Sequence, residues 1–222
     1  MKRDDRRIIL AGSYYAYVVT GMVVLILGSI MPYLREEFGL SYDKSGLLLA
    51  LLAIGNLIAS FIGGIISDYI GRKATLLIGS LCLVFGFTGF VVASSAKHLY
   101  IYSTIAGLGW GVMNSIVNAI VSDTTSGDTR TMNILHMFFA VGAFLSPFVM
   151  GIIIRLGFGW KYGIYLIIGL SAIQFFIFLA MPIPKISKEH RDDRDGETNG
   201  LAFLSNSRYY LFYRDIVFLC RC

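Results

Sequence analysis

The chain has 222 residues, 56% of them hydrophobic and only 15% charged, with a formal net charge of +5. A soluble domain averages about 25% charged residues, so composition argues against a soluble globular fold. The positive charge comes with no basic aromatic patch of the kind that binds nucleic acid, and Cys82, Cys220 and Cys222 fall in no zinc, redox or disulfide spacing; no metal and no cofactor are expected.

Six runs free of Asp, Glu, Lys and Arg follow one another: Ile8–Leu34, Ser45–Ser67, Ala74–Ala96, His98–Ser122, Thr131–Ile154 and Tyr162–Pro184. Crossing about 30 Å of hydrocarbon takes roughly 20 apolar residues in a helix, and each run is 23 to 27 residues long. Lipid offers the backbone no hydrogen-bond partner, so each run is expected to be a helix. The first run exceeds the roughly 7–15 residues of a secretory signal core and reads as a lasting membrane anchor.

Along the chain, the first run carries Tyr14, Tyr17 and Gly21 on one helical stripe, and the second carries Asn56, Ser60 and Gly63. The third has no Asn, Gln, His or Tyr. In the fourth, Gly107, Gly111, Asn114 and Asn118 share a stripe. Its glycines suit close helix packing, and its amides offer both donors and acceptors. Asn133, His136, Ala140, Ala143 and Pro147 form the stripe of the fifth, while the sixth has Gln174 near its middle. Polar side chains inside lipid are costly and turn toward protein or a water-filled cavity. Tyr17, Asn56, Asn114, Asn118 and His136 are therefore the candidate solute-binding residues. Each also has a plainer reading as an interhelical hydrogen bond, worth about 0.6 kcal/mol in membranes.

Lys and Arg set the orientation. With the N-terminus in the cytoplasm, eleven lie on that side (Lys2, Arg3, Arg6, Arg7, Arg72, Lys73, Arg130, Lys185, Lys188, Arg191 and Arg194). Five lie outside (Arg35, Lys44, Lys97, Arg155 and Lys161). A multi-pass protein of the cell membrane with a cytoplasmic N-terminus is expected.

Residues 1–184 thus form a six-helix bundle. Residues 185–206 are a polar, mixed-charge segment with the composition of a cytoplasmic linker. Residues 207–222 begin as though a seventh helix were starting, but Arg214 and Asp215 interrupt them. They are expected to be an incomplete seventh helix or an aberrant tail from truncation or a frameshift, with a surface amphipathic helix as the alternative.

The stretch Gly64-Ile65-Ile66-Ser67-Asp68-Tyr69-Ile70-Gly71-Arg72-Lys73 lies between the second and third runs. It closely resembles the G-x-x-x-D-R-x-G-R-[RK] loop of major facilitator superfamily transporters, with Tyr69 where the first arginine usually stands. Gly71 would permit the sharp turn and Gly64 a close helix approach. The resemblance makes Gly64, Asp68, Gly71, Arg72 and Lys73 the conformational-switch loop, with Asp68 locking two six-helix halves together on the cytoplasmic side. The fourth and fifth runs are similar to the fucose-permease-like sugar transporter branch. That branch often has an acidic residue where Asn114 stands, and none of the six runs contains one.

The resemblance implies an all-α membrane protein of six transmembrane helices in a 3+3 inverted repeat, half of the 12-helix fold. It places the third and sixth helices at the periphery. It implies a secondary active transporter of a small polar solute, a sugar on this branch, acting by alternating access. Its partners would be the solute, the bilayer, and a missing C-terminal six-helix half or a second copy. The alternatives are a non-transporting truncated fragment and a drug or metabolite efflux carrier. No enzyme is expected, since neither a G-x-S-x-G nor an H-E-x-x-H setting occurs.

Overall fold

The computed structural model describes residues 3–183. The expected linker, 185–206, and tail, 207–222, lie outside the described residues. Six helices account for nearly all of what is described: α1 (Arg3–Phe38), α2 (Tyr42–Ile70), α3 (Arg72–Val92), α4 (Ala96–Thr125), α5 (Thr129–Arg155) and α6 (Trp160–Ala180). All six are long and apolar enough to cross a membrane. Most outrun their apolar runs, because a backbone that is hydrogen-bonded inside the bilayer continues its ladder through the headgroups.

The turns are correspondingly tight. Ser41 caps α2 by accepting from the Lys44 amide, and Asp128 caps α5 by accepting from the Arg130 and Thr131 amides. Gly71 alone separates α2 from α3, with φ +89°. A side chain there would be strained.

The helices form two layers. In front, the order is α2, α4, α1, α5; behind, α3 packs on α4 and on α6, and α6 packs on α1. Exchanging α1 with α4, α2 with α5 and α3 with α6 maps every contacting pair onto a contacting pair, α1–α4 and α3–α6 onto themselves. Alternation of direction makes the exchanged helices antiparallel. This is the 3+3 inverted repeat.

Small residues bring the front row together. A Cβ on Gly107 or Gly111 of α4 would collide with the Leu52 or Asn56 carbonyl of α2, and a Cβ on Gly142 of α5 with the Val18 carbonyl of α1. Hydroxyls complete both contacts: Ser103 Oγ donates to the Leu48 carbonyl at 2.8 Å, and Ser146 Oγ to the Met22 carbonyl at 2.9 Å. The core holds Tyr17, Phe87, Phe90 and Phe178, all fully enclosed. The ends of the row are bare, with Phe61 of α2 74% and Phe144 of α5 71% exposed.

Two expectations change here. Gly64 makes no close approach, since a Cβ on it would meet open space. Gly63, one residue earlier, is the one facing Val112 and Ser115 of α4. A helix turns 100° per residue, so neighbouring glycines point in different directions. Gln174 lies on an outer helix as expected, yet its side chain is fully buried. It points inward, and its Nε2 donates to Met113 Sδ of α4 at 2.8 Å.

Candidate functional site

α1, α4 and α5 bring four of the five predicted residues into one cluster. The Tyr17 hydroxyl donates to the Asn114 carbonyl oxygen at 3.2 Å, with Asn114 Oδ1 3.4 Å away. Asn118 Nδ2, one turn along α4, donates to the same carbonyl at 2.7 Å. The His136 ring meets the Tyr17 ring at 71°, with centroids 5.7 Å apart. Phe139 packs on the same tyrosine from the next turn of α5.

The members are not equally accessible. Tyr17 is 1% exposed. It holds Asn114 in place and presents nothing to a solute directly. Asn114 and Asn118 are half-buried, and His136 is exposed. Asn118 spends its amide nitrogen on Asn114 and leaves Oδ1 buried without a hydrogen-bond partner among the described residues.

Asn56 does not join them. Its stripe on α2 is the contact face with α4: the Asn56 carbonyl abuts Gly111, and Ser60 Oγ donates to the Gly111 carbonyl at 3.4 Å. Its Nδ2 is buried without a partner among the described residues. The stripe on α4 likewise divides, its glycines docking α2 and Asn114 turning to α1.

The cluster sits off-centre. At 1.5 Å per residue, Tyr17 and Asn114 lie about 5 Å, and His136 about 9 Å, from the midpoints of their helices. All three are displaced toward the end that carries the α2–α3 turn.

At that end, Arg72 and Lys73 tie helices together. Arg72, 9% exposed, pairs with Asp123 of α4 at 2.6 Å. Lys73 Nζ donates to the Met181 carbonyl at the end of α6, at 3.2 Å. Asp68 is exposed. Asp123 escaped sequence reasoning; the only signal was a lone acid one residue past the fourth run. At the opposite end, Glu37 of α1 accepts from Trp160 Nε1 at 2.7 Å and pairs with Lys161 at 2.9 Å. Both turn-end networks join helices within the bundle, so their geometry stiffens it. Among the described residues no group of His, Cys, Asp and Glu is arranged to hold a metal ion.

A family model described as Major Facilitator Superfamily matches residues 14–220. The Protein TsgA homolog of Serratia proteamaculans is 26% identical over 167 residues, covering 74% of this chain and 42% of that protein. The inner membrane transport protein YdiM of Escherichia coli is 26% identical over 154 residues, covering 68% of this chain and 38% of that protein. The solved structure of the proton:xylose symporter XylE bound to 6-bromo-6-deoxy-D-glucose matches with a TM-score of 0.71 at 16% identity. The match covers 82% of this chain and 46% of that one, and at such identity the likeness is one of fold. The chain spans about half the length of the relatives it matches.

Proposed function

The chain belongs to the Major Facilitator Superfamily, and on that premise we propose that it is one six-helix half of a secondary active transporter for a small polar solute, a sugar. A superfamily site lies between two such halves, which rock against each other about a fixed midplane site. In this reading the open side of the α2–α4–α1–α5 row is one wall of the pathway. A C-terminal six-helix half, or a second copy, supplies the other.

The observation that carries the reading is the cluster on that side. Asn114 and His136 offer donors and acceptors suited to hydroxyls, and Tyr17 and Asn118 fix the Asn114 backbone from two directions. Asn118 Oδ1 and Asn56 Nδ2 each lack a partner among the described residues and serve the solute only if α4 and α2 shift. The Arg72–Asp123 pair and the Lys73 bond to α6 let the half move as one body. Asp68, at the same end, faces the opposing half. The Lys/Arg bias supports a cell-membrane protein with its N-terminus in the cytoplasm.

The test measures binding of radiolabelled D-xylose and D-glucose to the protein in lipid nanodiscs. Losing one hydrogen-bonding group to the solute costs about 1–3 kcal/mol, or roughly tenfold and upward in affinity. Asn114→Ala and His136→Ala should each weaken binding by that factor at an unchanged amount of folded protein. Gln174 is unsuited as a control because it is fully buried; Phe176, 64% exposed on the same helix, is suitable. If Phe176→Ala weakens binding as much as Asn114→Ala does, the cluster is not the site.

A further inference from the structure

The two ends of the front row match in backbone and differ in side-chain size. The inverted repeat makes α2 and α5 equivalent, and each docks on its neighbour through one face. α2 meets α4 through Leu48 and Gly55, and α5 meets α1 through Gly142 and Ser146. At 3.6 residues per turn, a residue two positions away points about 200° from that contact. On α2 this outward face carries Gly46, Ala50 and Ala53, all exposed, and a Cβ on Gly46 would meet open space. On α5 it carries Phe144 and Phe148, 71% and 59% exposed, stacked with ring centroids 6.3 Å apart.

These features sit at matching depth. Counted from the helix ends remote from the Gly71 turn, Phe144 and Phe148 lie about 16 and about 10 Å along α5 from Arg155. Ala53 and Ala50 lie about 16 and about 12 Å along α2 from Tyr42. A stacked phenylalanine pair is a stiff ridge, and small residues at the same depth form a groove that admits it. In membranes helix association is driven by packing, and small residues mark its interfaces because they let helices approach closely. α2 and α5 are also the least enclosed of the six helices. Within one chain they stand at opposite ends of the row and do not touch, so ridge and groove meet only between chains.

We propose that two copies of this chain associate side by side in the membrane, the Phe144–Phe148 ridge of each seated in the Gly46–Ala53 groove of the other. A contact between two different patches closes on itself when a twofold axis relates the copies, which then make it twice. An axis along the membrane normal keeps both N-termini on one side. It also sets the two front rows facing each other, each with its own Asn114 and His136. This deepens the proposed function by naming what supplies the second wall, and it rests on that reading only for what the enclosed space holds.

The test mixes single-cysteine chains in liposomes, in a background of Cys82→Ser, Cys220→Ser and Cys222→Ser. One chain carries Ala50→Cys. The other carries Gly151→Cys, three residues past Phe148, where a Cβ meets open space. A short bismaleimide should link the mixture into pairs and leave either chain alone unlinked, because the twofold sets Ala50 opposite Gly151 and not opposite itself. A chain with both substitutions should stop at pairs. Phe176→Cys on α6, mixed with Gly151→Cys, reports chance collisions and should stay unlinked. Ala53→Phe fills the groove from an exposed position, so the chain folds as before and the linked product is lost. Linking of one chain to itself, linking no greater than in the Phe176→Cys mixture, or a product that survives Ala53→Phe overturns the pairing. A ladder of larger products from the doubly substituted chain overturns the twofold. D-xylose binding is measured separately. Pairing without binding upholds the association and counts against the sugar reading; binding that depends on Asn114 without pairing upholds the proposed function and overturns the second copy.

Discussion

Replacing Gln174 by leucine should stabilise the bundle. The amide is fully buried between α6 and α4. Its Nε2 donates only to Met113 Sδ, a weak acceptor, and its Oε1 has no hydrogen-bond partner among the described residues. An unsatisfied buried acceptor costs about 1–3 kcal/mol, and an interhelical hydrogen bond in membranes returns about 0.6 kcal/mol. Leucine removes both and nearly conserves volume, so the net gain is about 0.4–2.4 kcal/mol by subtraction. At about 2–4 °C per kcal/mol for a chain of this size, the unfolding midpoint should rise by a few degrees. Gln174→Ala also removes the orphan but leaves a cavity, which costs about 2–5 kcal/mol for a truncation of this size. The order of stability should be leucine, parent, alanine. The assay follows thermal unfolding in nanodiscs through a thiol-reactive dye at Cys82, which is free and half-buried, with Cys220→Ser and Cys222→Ser removing the other thiols. A leucine variant less stable than the parent by more than about 1 kcal/mol would refute the reasoning. It would mean that the carbonyl is satisfied, for instance by an internal water shared with Ser171 Oγ, which is also buried without a partner among the described residues.

Gly142→Ala should destabilise by about 1–3 kcal/mol, because its Cβ would collide with the Val18 carbonyl. Gly64→Ala, whose Cβ meets open space, should be neutral or stabilising by up to about 1 kcal/mol; the same dye assay ranks them. The Asp128 carboxyl is held below its usual range by hydrogen bonds, first from the Thr131 hydroxyl, then from the Thr131 and Arg130 amides. A lowered folded-state value means the cap's stabilisation is present above the ordinary carboxylate range and lost as pH falls through the lowered value. Amide protection at Arg130 and Thr131, corrected for intrinsic exchange, should therefore fall below about pH 4, and Asp128→Ala should abolish that acid-specific loss. In intact cells an impermeant thiol reagent should label Lys97→Cys and miss Lys73→Cys; equal labelling of both would overturn the topology that the Lys/Arg bias implies.

The number of membrane-spanning helices and the tight turn at Gly71 were legible in the sequence alone. Each follows from local chemistry: a charge-free run long enough to cross hydrocarbon, and a glycine able to hold positive φ. The superfamily was legible through the Gly64–Lys73 pattern. What a residue touches was not legible, because periodicity reports only which residues share a face and says nothing about which helix that face meets. Tyr17 and Gln174 are both polar residues in apolar runs, and only the packing of α1 against α4, and of α6 against α1 and α3, which lets the Gln174 side chain reach Met113, turns each into a buried partner. Asn56 shares its stripe with Ser60 and Gly63, and the tertiary structure puts that stripe against the glycines of α4. Arg72 and Asp123 lie 51 residues apart and meet because two helices running in opposite directions end at the same level. The contacts that assemble the candidate site are long-range ones, and an antiparallel bundle fixes them only when all of its helices pack at once.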